Sequence, residues 1–190
     1  MGSHSDQAAR ITQRPVVLLL AGLPGAGKST LATALSSRTG LRIVDRDRLR
    51  AELFPAGTAS VVEKAAALTA VVEAVRSACR EGQGAIVDGM PFSRRSDLDC
   101  VAAAAEEAGA AVAAVHLACP VDLAEARLAI ATAEKSRHPA PDRRPGLATE
   151  VAARFEPLPE WVVRLDASDP PERLLEQVLA VLTQPAAPGE

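Results

Sequence analysis

The segment Gly22-Leu23-Pro24-Gly25-Ala26-Gly27-Lys28-Ser29 is the part of this chain best equipped for chemistry, because it satisfies GxxxxGK[ST] in a context that suits it. Residues 15–21 before it form an unbroken apolar run, and residues 27–38 after it have helical character. Glycines let the backbone curl until N–H groups at Gly22, Gly25, Ala26 and Gly27 converge on phosphate oxygens, and the following helix adds its positive N-terminal end. Lys28 is expected to neutralise the β- and γ-phosphates, Ser29 to ligate Mg²⁺, and Thr30 to hydrogen-bond a further phosphate. A nucleoside triphosphate site is the direct expectation.

Transferring a phosphoryl group also needs a carboxylate beside the acceptor hydroxyl and positive charge around the group in flight. The second apolar run ends in Asp45-Arg46-Asp47-Arg48-Leu49-Arg50. If a helix starts near Asp45, Asp47 and Arg50 share a face, so Asp47 is expected to act as the base and Arg50 as a substrate anchor. Asp45 suits either a helix N-cap or the shell of a magnesium ion. Asp88 closes a third run, where a metal- or acceptor-facing acid belongs, although Asp88-Gly89 is also a turn signal. Beyond it, Ser93 reads as an N-cap, and Arg94 and Arg95 as either anion binders or surface charge. Arg127 and Arg137 are the preferred pair of phosphate-facing arginines, drawn from a cationic stretch that also holds Lys135, His138, Arg143 and Arg144. Substrate contact is thus expected from Asp47, Arg50, Asp88 and Arg94, metal contact from Ser29 and Asp45, and nucleotide contact from the loop and Arg127.

The elements that must carry these residues alternate. Apolar runs at 15–21, 41–44, 84–87, 111–118 and 161–165 read as strands, and helical stretches at 27–38, 59–81, 93–108, 121–133 and 171–182 lie between and after them. Parallel strands need crossovers, so the alternation predicts an α/β fold with helices on both faces of a parallel sheet. One domain is expected over residues 14–183, with a flexible arm at 1–13, a flexible tail at 184–190 and a mobile lid near 134–146, where prolines and arginines break the helical pattern.

Composition narrows the function. In 190 residues, 48% are hydrophobic and 24% charged, enough apolar surface for a core. Aromatics at 2% and a net charge of −3 leave few stacking platforms and no basic stripe, so nucleic acid is an unlikely partner. No run approaches the ~20 apolar residues of a membrane span, and a cytoplasmic protein is expected. Cys79, Cys100 and Cys119 lack metal-ligand spacing and read as buried small hydrophobes, and His116 as a core residue. An Asn-Lys-x-Asp tetrapeptide is absent, and Asp88-Gly89-Met90-Pro91 lacks the glycine of an Asp-x-x-Gly switch, which lowers the weight of a GTPase.

Through residues 22–30, Asp45 to Arg50, Val87-Asp88-Gly89, Arg127-Leu128 after Cys119-Pro120, Phe155 to Pro159 and Leu165 to Pro170, the chain resembles the small P-loop kinases around chloramphenicol phosphotransferase, zeta toxins and the kinase domain of polynucleotide kinase. Its Asp-x-Asp is also similar to that of shikimate and gluconate kinases. The resemblance implies a P-loop NTPase fold, three layers α/β/α with a five-stranded parallel sheet ordered 2-3-1-4-5. It further implies Asp45 as a magnesium-shell residue, Asp47 as the acceptor's base, and adenine between a lid arginine and the loop 166–170. Many such kinases carry a second lid arginine where this chain has Ala131.

The expected function is an ATP- and Mg²⁺-dependent phosphotransferase acting on a hydroxyl of a small molecule, whether antibiotic, nucleoside, sugar or metabolite. Phe54, Pro55, Met90, Pro91 and Phe92 are expected to give its acceptor pocket an apolar wall. The alternatives are a polynucleotide 5′-hydroxyl kinase, a zeta-toxin-like nucleotide-sugar kinase, and a non-catalytic ATP-binding regulatory module.

Overall fold

A strand covered on both faces must be apolar at every position, and β1 (Val16–Gly22) meets that demand. In the computed structural model, which describes residues 14–58, 60–133 and 144–183, this strand lies at the centre of the sheet. The arm expected at 1–13, the tail at 184–190 and most of the 134–146 segment, with Lys135, Arg137, His138 and Arg143, lie outside the described residues.

The chain continues through α1 (Lys28–Thr39), β2 (Arg42–Asp45), α2 (Arg46–Leu53), α3 (Val61–Arg80), β3 (Ala85–Asp88) and α4 (Arg95–Glu107). It then forms β4 (Ala111–Ala118), α5 (Val121–Ala133), α6 (Leu147–Ala152), β5 (Val163–Asp166) and α7 (Pro171–Thr183). The five strands are parallel throughout and ordered β2-β3-β1-β4-β5, as expected.

Alternation along β1 divides the core. Val17, Leu19 and Ala21 pack with α3 and α4 on one face, whereas Leu18 and Leu20 pack with α1 and α7 on the other. A smaller cluster joins Leu23 of the loop after β1 to Ala124 and Leu128 of α5 and Ala148 and Val151 of α6. Burying both sheet faces holds the carboxyl ends of β1, β2 and β3 in fixed register, with Asp45 paired opposite Asp88.

Local signals account for the element ends. Gly40 stops α1 in a left-handed conformation (φ 73°), and Ser60 with Glu63 forms a reciprocal capping box on α3. Ser93 is not the cap of α4. Arg94 holds the N-cap position without a side-chain bond, and the Arg95 N–H donates instead to Glu156 Oε2 at 2.7 Å, a partner 61 residues away. The short helix α6 starts directly after the expected 134–146 lid, with Gly146 as its N-cap. Its first turn is anchored by Glu125 of α5, which accepts from the Gly146 and Thr149 N–H groups at 2.7 and 2.9 Å. Cys79 is buried as expected, but Cys100 lies on the exposed side of α4 and Cys119 is half-buried. No described helix is long and apolar enough to cross a membrane.

Candidate active site

The phosphate loop lies between β1 and α1, and three close approaches hold it. The Gly22 N–H donates to Pro91 O at 3.0 Å, tying the loop to the turn after β3. Gly25, at φ 86°, sits so near α5 that a Cβ there would overlap the Ala124 carbonyl. Lys28 is buried, and its Nζ donates to Gly22 O and Leu23 O at 2.8 and 2.9 Å. The ammonium thus rests on its own loop, beside the place where phosphate oxygens would compete for it. Ser29 and Thr30 are exposed at the opening of α1.

Asp45 caps α2, its Oδ1 accepting from the Asp47 and Arg48 N–H groups at 2.9 and 3.3 Å. That cap sets the direction of the next turn and buries Asp47 to 8% exposure. Asp47 Oδ1 is held by Arg46 Nη2 at 2.7 Å, with Arg50 Nη2 at 3.7 Å. Asp47 and Arg50 do share a helix face, yet Arg50 is 2% exposed and forms no wall of the crevice. Its position is that of a buttress beneath the carboxylate, not the substrate anchor expected from the spacing.

Asp88 ends β3, and Gly89 turns the chain with φ 74°. A Cβ at Gly89 would overlap Asp45 Oδ1 and press on the Asp47 and Arg46 N–H groups, so the Asp-Gly turn is what lets β3 meet the start of α2. The turn expected at Asp88-Gly89 is present, and Asp88 also borders the crevice. Asp88 Oδ1 is buried with no hydrogen-bond partner among the described residues. Burial first, then the nearby Asp88 and Asp47 charges, push the Asp45 carboxyl above its ordinary range.

These pieces border one crevice of about 700 Å³. Its nucleotide half is formed by residues 24–31, Ala34, Arg127, Ala167, Asp169, Pro171 and Leu174. Arg127 bridges the phosphate loop and the loop after β5, donating to Ala26 O at 3.5 Å and Ala167 O at 3.3 Å. The other half holds Arg46, Asp47, Asp88, Met90, Pro91, Arg94 and Asp97, together with Val61, Lys64, Ala65 and Leu68 of α3 and Leu147, Val151 and Arg154 in and just after α6. Phe54 and Pro55 do not line it, and Phe92 is 1% exposed within the core, at φ 49°. Met90 and Pro91 do line it, and the rest of the apolar wall comes from α3, within the 52–81 region expected to wall the pocket, and from α6.

Sequence reasoning missed Lys64, Asp97 and Arg154 as crevice residues. Lys64 was legible in principle, as it lies on the helical stripe with Val61, Ala65 and Leu68. Arg154 follows a helix that no periodic pattern announced. Desolvation raises the Asp97 carboxyl, opposed by the Arg94 and Arg46 charges. His116 is half-buried and stacks on Phe155 with ring centroids 5.4 Å apart, lining a second cavity with Cys119, Arg164 and Asp166. Burial, with Arg164 and Lys28 nearby, lowers its pKa to about 4.

A parallel sheet in this strand order, with a phosphate loop facing a carboxylate across one crevice, defines a P-loop kinase. The chain belongs to the AAA domain family whose model matches residues 17–156. Over 180 residues it is 25% identical to shikimate kinase 2 of Yersinia enterocolitica, covering 87% of this chain and 94% of that one. Among solved structures, a gluconokinase of Sinorhizobium meliloti is 20% identical with a TM-score of 0.66, covering 92% of this chain and 95% of its own. The APS kinase of Mycobacterium tuberculosis, in complex with AMPPNP and APS, is 19% identical with a TM-score of 0.66, covering 90% and 99%.

Proposed function

We propose that this kinase transfers the γ-phosphate of ATP to a hydroxyl of a small molecule, with Asp47 as the base. The observation that carries the reading is that Asp47 and the phosphate loop border the same crevice, with space between them. The relatives named shikimate kinase, gluconokinase and APS kinase support a small-molecule acceptor. The resemblance to the chloramphenicol phosphotransferase group is compatible with this reading and leaves the acceptor open.

Arg46 and Arg50 both approach Asp47 Oδ1, which leaves Oδ2 to accept the acceptor's proton as its oxygen attacks the γ-phosphorus. Lys28 leaves the loop carbonyls for the phosphates and offsets their charge. Arg127 presents its guanidinium between the phosphate loop and the loop after β5, where it faces the nucleotide. Arg137 remains a proposal from the sequence alone.

The donor set fits Mg²⁺. Asp88 carries a buried carboxylate oxygen without a partner, Ser29 offers a hydroxyl across the crevice, and Asp45 stands in a crowd of acids that a cation would relieve. Among the described residues no group of three His, Cys, Asp or Glu side chains could hold a metal by itself. When bound, Mg²⁺ neutralises charge on the β- and γ-phosphates.

The test is ADP release measured across a panel of alcohols, with the phosphorylated product identified by mass. Acceptor-stimulated release that disappears in Asp47→Asn is expected. Release that no alcohol stimulates would leave only a nucleotide-binding module.

A further inference from the structure

Four basic side chains reach the acceptor half of the crevice on a chain whose net charge is −3. Arg46, Lys64, Arg94 and Arg154 come to it from four separate segments. Three acids share this half, Asp47, Asp88 and Asp97, and Asp47 takes Arg46 as its ion-pair partner, which leaves Arg94 and Arg154 as the arginines outside the transfer centre. Arg94 and Arg154 are brought to one wall by a specific junction: the Glu156 N–H donates to Ser93 O at 2.9 Å, and the Glu156 carboxylate accepts from the Arg95 N–H at 2.7 Å.

Neither Arg94 nor Arg154 has an ion pair or side-chain hydrogen bond among the described residues, whereas Arg48, Arg76 and Arg95 on helices, Arg42 on β2 and Arg144 before α6 each find a carboxylate. Deeper in, the Arg46 Nε is buried with no hydrogen-bond partner, while its Nη2 is taken by Asp47. A buried guanidinium N–H left unmatched costs stability that a ligand oxygen would restore. Two arginines whose N–H groups are not taken by a carboxylate, with Asp97 as the acid nearest Arg94 in charge, and one buried unmatched donor on Arg46 describe a site for an oxyanion, which planar guanidinium groups grip in a forked geometry.

Building on the phosphotransferase reading, we propose that the acceptor is a small alcohol bearing an anionic group, a carboxylate or a phosphate, gripped by Arg94 and Arg154 with Lys64 and Arg46 bordering it. The apolar stripe Val61, Ala65 and Leu68 covers the acceptor's carbon frame, and the anion fixes which hydroxyl meets Asp47.

The first test needs no knowledge of the acceptor. Protein saturated with Mg·AMPPNP, so that the γ-phosphate position is filled, is titrated calorimetrically with malonate and, separately, with methyl phosphate. One of the two is expected to bind, which identifies the anion, and to lose at least fivefold in affinity in Arg94→Ala/Arg154→Ala. Both side chains are exposed and unpaired, so the variant is expected to keep its melting temperature, which is checked in parallel. No binding of either anion to the wild type, or unchanged affinity in the variant, overturns the proposal.

The second test is turnover with matched acceptors: glycerol, glycerate and glycerol 3-phosphate, and glucose, gluconate and glucose 6-phosphate. A charged member is expected to exceed its neutral parent at least tenfold in kcat/KM, with Arg94→Ala raising KM about tenfold while kcat stays within threefold. A neutral alcohol turned over as well as its charged analogue, or a 5′-hydroxyl oligonucleotide preferred to all of them, overturns the anion site and leaves phosphotransfer standing. Anion binding with no stimulation by any alcohol would do the reverse.

Discussion

Asp47 is a carboxylate with one oxygen spoken for. Its neighbours Arg46 and Arg50 both contact Oδ1, and burial to 8% exposure shields the pair from the solvent that would weaken a surface ion pair. Asp47→Asn keeps the shape but cannot take a proton, so kcat is expected to fall about 10²–10⁴-fold with nucleotide affinity little changed, read by steady-state kinetics beside nucleotide titration. Lys28→Ala removes the charge on the triphosphate and is expected to abolish turnover. His116 gives a stability signature. Its native pKa of about 4 lies below the ordinary value of 6.5, so the unfolded chain takes up the proton first as pH falls. The contribution of His116 is whole above about pH 6.5 and is lost as pH falls from there toward 4. The melting temperature is therefore expected to drop between pH 7 and pH 5 in the wild type, and to drop less in His116→Gln.

The turn after β3 is the element on which the acceptor half depends. Gly89 and Gly82 share the same backbone conformation, φ 74° and 72°, but a Cβ at Gly82 meets nothing within 4 Å, whereas one at Gly89 strikes the cap of α2. Both alanine variants are expected to lose about 1–2 kcal/mol from left-handed backbone strain. Only Gly89→Ala is also expected to lower kcat, because Asp45 and Asp47 must shift; equal kcat in the two would show that the contact is not what aims Asp47. Phe92 holds the same turn from below. Its ring is 1% exposed in the core packed against α3 and α4, and Phe92→Ala is expected to cost about 3–5 kcal/mol in chemical denaturation. Helix α6 is pinned by Glu125, whose carboxyl is lowered by the Thr149 and Gly146 N–H groups. Glu125→Gln weakens those bonds, and a rise in acceptor KM with kcat nearly constant is the expected result.

Across the whole molecule, the crevice is assembled from both sides of β1. The nucleotide half draws on α5 and the loop after β5, whereas the acceptor half draws on α2, α3 and the turn after β3 from one side and on the α6 region, packed on α5, from the other. Arg127 ties the nucleotide half together through Ala26 and Ala167. A ligand that binds only the folded chain stabilises it by about 2.7 kcal/mol at a hundred times its Kd, roughly a 5–10 °C rise in melting temperature for a domain of this size. Mg·AMPPNP is expected to give a shift of that order in the wild type and a smaller one in Arg127→Ala.

The sheet order and the phosphate loop could be read in the chain because they rest on local and periodic signals: a seven-residue apolar strand, glycines at set spacing, and helices alternating with strands. The Asp47 and Arg50 face followed from helical geometry in the same way. What Arg50 does there did not, since spacing tells which side chains are neighbours and not which of them the rest of the fold will bury. The cap of α4 by Glu156, the crevice wall from α6 and the place of Arg154 join residues far apart in sequence, and helix α6 is too short to show a period. Amino-acid order alone determined that this chain would hold a triphosphate between a buried strand and a helix. Tertiary packing decided what stands opposite it, because a wall built from four separate segments exists only once the sheet has brought those segments together.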